Sequence, residues 1–250
     1  VRKMSVQDIT LILHLLLFAY WLGGDIGVFY SSGFAINSKH SLEARKIAGK
    51  IMINLDLVPR LCLSLMLTVG GILSESYGIE HDPLFRLGII LLGPVWFSVL
   101  LYIHFNEGTD LVKRITRIDY IFRWVMMFAI IISVTMDWTS GRLDSEPWIG
   151  AKLLLFAALI FCGIMIRKYI GGFAQGIHKI ASGSINDQEN KAMADSLSRC
   201  RVFVLTIWAI LLVEAAIGVI KPGSESINQS VTSHHFEPVD NLEHKALLKS

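Results

Sequence analysis

Three residues near the start of the chain fall on one face of a predicted helix. His14, Trp21 and Asp25 are spaced as a single stripe at 3.6 residues per turn. The surrounding sequence is apolar and a carboxylate facing lipid is costly, so this stripe is expected to face protein. An imidazole in an apolar, water-poor helix bundle is suited to ligating haem iron through a ring nitrogen. The alternative is a structural histidine that is hydrogen-bonded to a neighbouring helix.

Two charged residues in later apolar segments are expected to join this histidine. Lys152 and Glu214 should face the bundle interior, because a charge facing lipid costs about 2.5–3.5 kcal/mol near mid-membrane. Lysine can pair with a haem propionate, whereas glutamate can neutralise the lysine or carry a proton during redox chemistry. Asp137 is expected at the same side of the membrane.

Other histidines and the methionines offer further metal ligands. His81 lies in a loop on the His14 side and is the predicted second ligand if two histidines bind one haem. His104, at the opposite membrane face, is the alternative ligand, although a structural role suits its interfacial position. Thioethers bind cuprous ion, so copper is an alternative cofactor. The sequence has no Met/His ladder, which favours packing as the role of the methionines.

An unusual composition indicates which elements position these residues. The chain has 250 residues, of which 53% are hydrophobic and 18% charged, and its mean hydropathy is +0.53. This bias predicts an all-α, polytopic membrane bundle of about six transmembrane helices. The predicted spans are residues 9–30, 55–73, 84–105, 118–136, 148–166 and 202–220. A net charge of +2 without a basic arm argues against nucleic acid as a partner.

The loops between the spans predict the domain boundaries and the orientation. Residues 1–221 form the transmembrane domain, which includes a cytoplasmic excursion at 167–201 with short helices, and residues 222–250 form a polar, flexible tail. The first, third and fifth connections hold thirteen Lys and Arg residues, against seven on the other side. The positive-inside rule therefore predicts a multi-pass protein of the bacterial inner membrane with both termini in the periplasm.

A D-x-x-x-R pair lies at the predicted cytoplasmic start of each even-numbered span. The pairs are Asp56 and Arg60, Asp119 and Arg123, and Asp195 and Arg199. Each pair lies on one helix face, where the aspartate suits the positive end of the helix dipole. Interfacial anchoring is the favoured interpretation, and a path for protons or lipid is the alternative.

Two segments resemble a known family. Leu13-His14 followed by residues 21–24 resembles the LH-x6-W-x-G start of HemJ-type protoporphyrinogen oxidases and of CopD-like copper-resistance membrane domains. Residues 148–154, which read W-x-x-x-K-L, resemble the helix start of the HemJ type with its tryptophan and following Lys-Leu, and residues 43–59 are similar in layout to its second helix. The resemblance implies a membrane haem b protein in which His14 is the first-helix histidine and Lys152 the helix-start lysine.

These observations predict a haem b-binding redox protein of the inner membrane. It would pass electrons to or from quinone or a partner subunit, with His14, His81, Trp21, Lys152 and Glu214 around the cofactor. HemJ-like porphyrinogen oxidation would be the enzymatic version. The alternatives are a copper-handling membrane protein and a non-redox structural subunit of a larger complex. Assembly into an oligomer or with other membrane or periplasmic redox subunits is expected.

Overall fold

A computed structural model describes residues 3–224, and within that range the chain is all α-helix with no strand. The helices are α1 (Val6–Ile36), α2 (Leu42–Leu55), α3 (Leu57–Glu75), α4 (Pro83–Phe105), α5 (Asp110–Thr139), α6 (Pro147–Tyr169), α7 (Gly171–Ala181) and α8 (Asp187–Ile220). Six stretches are long and apolar enough to cross a membrane, with α2 and α3 forming one of them. The prediction of an all-α polytopic bundle is confirmed.

Capping residues explain why two helices begin well before their predicted apolar spans. The Thr109 side chain accepts a hydrogen bond from the Val112 amide and starts α5 in polar sequence. Asn186 and Glu189 form a reciprocal capping box that starts α8. Because a cap satisfies amides that the first turn leaves unpaired, it fixes the helix start independently of hydropathy. Helices α5 and α8 contain the predicted spans 118–136 and 202–220 and extend beyond them at their amino-terminal ends.

The six long helices close into a ring. Along it the neighbours are α1 with α3, α3 with α4, α4 with α5, α5 with α6, α6 with α8, and α8 with α1. Helices α1, α4 and α6 begin at one end of this ring, here called the amino-terminal end, and α3, α5 and α8 run back from the opposite end. Residues far apart in sequence are thereby brought to the same level of the bundle.

Apolar side chains lie both inside the ring and on its outer surface. Trp21, Trp96 and Phe156 belong to a core contributed by several helices. Leu16 and Ile132 are among the large apolar residues that remain exposed on the outside. An apolar outer surface is what a lipid solvent favours, and the protein is a multi-pass membrane protein.

A second, smaller core lies at the opposite end, where the excursion 167–201 was predicted. Phe173 of α7 and Met193 of α8 are buried there against α1 and α2. The buried Arg45 side chain donates from Nε to the Ala35 carbonyl at 2.8 Å and from Nη2 to Asn190 Oδ1 at 2.8 Å. The excursion is thus a folded layer. Of the predicted tail 222–250, residues 225–250 lie outside the described part of the chain.

Helices α3 and α4 approach each other so closely at Gly93 that a larger residue there should destabilise the bundle. A Cβ atom there would lie 2.6 Å from Thr68 Oγ1 and 3.0 Å from the Ser64 carbonyl oxygen. Thr68 Oγ1 also accepts the Gly93 amide at 2.9 Å, so it is not free to move away. Gly93→Ala should lower the free energy of unfolding, measured in mixed micelles, by about 1–3 kcal/mol.

A matched control lies on the same helix at Gly88, where a Cβ would meet no atom within 4 Å. Gly88→Ala should leave stability unchanged or raise it slightly, because alanine favours helix. Equal losses in both variants would show that the α3–α4 contact is not the cause.

Candidate functional site in the helix bundle

His14 lies inside the ring, and one of its ring nitrogens has no hydrogen-bond partner. Its ring faces Gly70 of α3, where a Cβ would be 3.6 Å from the His14 Cε1 atom. The Nδ1 atom is buried and unpartnered among residues 3–224. A buried polar atom without a partner is uncommon and is a feature of ligand and metal sites. His14 therefore has a nitrogen available for a ligand.

Lys152 and Glu214 form an ion pair beside this histidine. The Lys152 Nζ atom is 3.5 Å from Glu214 Oε2, and the side chains are 22% and 11% exposed. Lys152 also lies within electrostatic range of His14. The prediction that both charges face the bundle interior is confirmed. Pairing offsets part of the cost of placing two charges in an apolar region, so α6 and α8 are held together at this level.

The rest of the α1 stripe continues away from His14 into the bundle. Trp21 is buried and contacts Phe156 edge to face, with ring centroids 6.5 Å apart. The Asp25 carboxylate is a hydrogen-bonding neighbour of Trp21, and its Oδ2 atom is buried without a partner in the described part of the chain. Eleven residues of helix separate His14 from Asp25 by about 16 Å. Asp25 is therefore not part of the His14 cluster.

His81 lies in the α3–α4 loop at the amino-terminal end, and both of its ring nitrogens are engaged. Arg142 Nη2 lies 3.3 Å from Nδ1, and Ser74 Oγ lies 3.3 Å from Nε2. Arginine can only donate, so Nδ1 accepts and the neutral ring carries its proton on Nε2. The Ser74 hydroxyl donates to the Gly71 carbonyl, which leaves its oxygen free to accept from Nε2. Iron ligation by His81 stays a prediction, and it would have to replace one of these contacts.

The environment of His81 gives a prediction about pH. Burial and the nearby Arg142 guanidinium lower the pKa of His81 below its ordinary value of 6.5, against the opposing charges of Glu75 and Asp137. The folded state thus favours the neutral ring. The resulting stabilisation is present above pH 6.5 and is lost as pH falls through the lower folded pKa.

NMR titration of ring-labelled histidine should give a pKa for His81 below 6.5. Arg142→Gln should raise that pKa, because it removes a neighbouring positive charge. Lys113→Gln, at the opposite end of the bundle, should leave the titration unchanged. If the pKa of His81 does not change in Arg142→Gln, the contact between His81 and the Arg142 guanidinium is not formed.

The remaining predicted residues lie apart from this cluster. Asp137 is at the amino-terminal end as expected, where it forms an ion pair with Arg142 at 3.1 Å. His104 is at the opposite end and packs edge to face on Phe105 of its own helix, with centroids 5.2 Å apart. Met66 and Met127 are buried in the central core. Residues 3–224 contain no group of three or more His, Cys, Asp or Glu side chains arranged to hold a metal ion.

One charged cluster was not anticipated. Asp119 and Arg123, interpreted as an interfacial D-x-x-x-R pair, are buried inside the bundle with side chains 1% and 3% exposed. The interpretation of this pair as an exposed anchor at the membrane surface is therefore wrong, because both side chains are buried against other helices. Arg167, counted among the basic residues of a connection, lies 2.6 Å from Asp119. The missed signal was the Thr109 cap, which places Asp119 almost three turns inside α5 rather than at its start.

Comparison with known proteins adds no relative: no protein-family model, curated protein or solved structure matches this chain.

Proposed function

We propose that this protein is a membrane redox protein that binds haem b, with His14 as an axial ligand. The observation that carries the proposal is the Nδ1 atom of His14, which is buried and has no hydrogen-bond partner among residues 3–224. A neutral imidazole nitrogen is a common ligand of haem iron. Ligation would also offset the cost of leaving that nitrogen buried without a hydrogen bond.

The neighbouring residues fit the periphery of such a cofactor. Lys152 supplies a cation within electrostatic range of His14, suited to a propionate, and Glu214 balances that charge at 3.5 Å. Trp21 lies about two turns beyond His14 on the same face of α1, where its buried ring would help to exclude water. These contacts support His14 as the one histidine ligand, because both ring nitrogens of His81 are engaged by other side chains.

Bound haem b would exchange one electron at a time with quinone or with another membrane or periplasmic redox subunit. The chain's own part is to hold the iron, balance the propionate charge and keep water away from the ring. Porphyrinogen oxidation is the enzymatic form of the proposal, and it rests on the resemblance of the His14 and Lys152 segments to the HemJ type. His14 and Lys152 lie within electrostatic range of each other, which supports a shared role at one cofactor.

A pyridine-haemochrome spectrum of the purified protein, with metal analysis of the same sample, tests the proposal. We expect a Soret band and the reduced spectrum of haem b, with iron as the metal. Copper without haem would replace the proposal by the copper-handling alternative. A protein containing neither, purified from haem-replete cells, would point to a structural subunit.

The proposal includes an orientation, with both termini on the periplasmic side of a bacterial inner membrane. Its support is the excess of Lys and Arg in the connections at the opposite end of the bundle. Ser145→Cys should react with an impermeant maleimide in intact cells, whereas Ser184→Cys should react only after permeabilisation. Both positions are exposed and the three native cysteines are buried, so background labelling should be low. The reverse pattern would invert the orientation.

A further inference from the structure

The buried carboxylate of Asp119 joins three transmembrane helices. Its Oδ1 atom accepts from Trp96 Nε1 of α4 at 2.8 Å. Its Oδ2 atom accepts from Arg123 Nε of α5 at 3.1 Å and lies 2.6 Å from Arg167 Nη1 of α6. The Arg167 contact is an ion pair without hydrogen-bond alignment. One carboxylate thus contacts two guanidinium groups.

This arrangement leaves positive charge and hydrogen-bond donors unmatched. Within residues 3–224, no second acidic side chain forms an ion pair with Arg123 or Arg167. The Arg123 Nη2 atom is buried and has no partner in the described chain, on a side chain that is 3% exposed. The Trp96 ring, 5.0 Å from the guanidinium carbon, supplies only a cation–π contact. An uncompensated guanidinium in an apolar region is costly, so the cluster is suited to an added anion.

A third arginine connects the cluster to the surface. Arg60 of α3 lies within electrostatic range of both Arg123 and Arg167, and its side chain is 43% exposed. Arg60 forms an ion pair with Asp56, the residue just before α3, and its guanidinium has further donors for a ligand. The Arg167 side chain is 21% exposed. The exposed parts of Arg60 and Arg167 are therefore the side of the cluster that an anion would meet first.

The level of the cluster indicates the chemistry of that anion. Ile118 and Ile121 of α5 are exposed apolar residues on either side of Asp119, so the cluster lies where the lipid-facing surface of α5 begins. The phosphate groups of a bilayer leaflet lie close to this boundary. The planar guanidinium fork matches phosphate oxygens with two parallel hydrogen bonds, and several arginines can share one phosphate.

We infer that Arg60, Arg123 and Arg167 form a binding site for a phosphate oxyanion at the end of the bundle opposite His14. The source is either the headgroup of an anionic phospholipid or free phosphate. Asp119 positions two of the guanidinium groups and prevents them from repelling each other. The inference is independent of haem, because no residue is shared with the His14 cluster.

Native mass spectrometry of the full-length protein in detergent tests the site. The probes are dioleoyl phosphatidylglycerol, dioleoylglycerol, which lacks the phosphate, and inorganic phosphate. We expect the phosphatidylglycerol adduct to persist and the dioleoylglycerol adduct to be lost. Arg60→Gln and Arg167→Gln should each weaken phosphatidylglycerol binding about tenfold, the effect of losing one charged hydrogen bond.

Arg199→Gln is the matched control, because Arg199 belongs to the third D-x-x-x-R pair and is exposed. It should bind phosphatidylglycerol like the unchanged protein. Equal weakening by Arg199→Gln would show that any positive charge at the membrane interface has this effect on lipid binding. That result would overturn the inference of a specific site. The melting temperature of the unchanged protein gives a readout that needs no variant: it should rise with phosphatidylglycerol and not with dioleoylglycerol.

Inorganic phosphate distinguishes the two sources. If millimolar phosphate displaces phosphatidylglycerol and raises the melting temperature by itself, the ligand is free phosphate. If phosphatidylglycerol resists that displacement, the ligand is the lipid headgroup. A protein that retains dioleoylglycerol as well as phosphatidylglycerol, and that gains no stability from either phosphate compound, would overturn the inference.

Discussion

His14→Ala is expected to abolish the Soret band of the purified protein or to leave a weak, shifted one. The substitution removes the imidazole that carries the buried, unpartnered nitrogen. Loss of the axial bond should release most of the haem, because the site as described offers no second histidine with a free nitrogen. Haem content per protein and the reduced spectrum measure the effect.

Met126→Ala is the control for that experiment. Met126 packs against the central core and is assigned to packing, so its variant should keep the haem spectrum nearly unchanged. His81→Ala should change the spin state only if His81 replaces its Arg142 or Ser74 contact with iron. A folded His14→Ala protein with full haem content and an unaltered spectrum would defeat the assignment and move it to His104, at the opposite end.

Asp119→Asn is expected to destabilise the bundle by about 3–5 kcal/mol, the usual cost of breaking a buried ion pair from one side. The amide keeps the size of the carboxylate but leaves two guanidinium groups without the negative charge they share. Unfolding in mixed micelles measures the loss. Adding Arg123→Met should recover part of it, because one uncompensated charge is removed.

Asp110→Asn is the matched control on the same helix. Asp110 pairs with Lys113 at 2.8 Å, but the two side chains are exposed and solvent screens the pair. Its variant should unfold like the unchanged protein. Similar losses in Asp110→Asn and Asp119→Asn would show that burial of Asp119 does not contribute to its effect.

Local patterns were enough to predict the membrane architecture. Long apolar runs require helices in lipid, because each backbone polar group must be satisfied within its own segment. The helix ends were harder, since α5 and α8 begin at caps in polar sequence, at Thr109 and Asn186. Those caps were present in the sequence as recognisable N-terminal signatures, but hydropathy does not register them.

The inward-facing charges were also predictable, but only in part. A lone Lys152 or Glu214 in an apolar span must find a polar neighbour, and the ion pair follows from that requirement. The same argument failed for Asp119 and Arg123, because their spacing also fits a pair that anchors a helix at the membrane surface.

By itself the sequence determined that the chain crosses the membrane as a helix bundle and that His14, Lys152 and Glu214 need the protein interior. Only the tertiary structure decided which groups meet. It engages both nitrogens of His81 and brings Arg167 to Asp119, and within residues 3–224 it gives Nδ1 of His14 no partner. The physical reason is that hydropathy and helical period describe a single segment and which of its faces is apolar, but not which other segment that face contacts. Contacts between α5 and α6, or between α1 and α3, depend on how the ring closes.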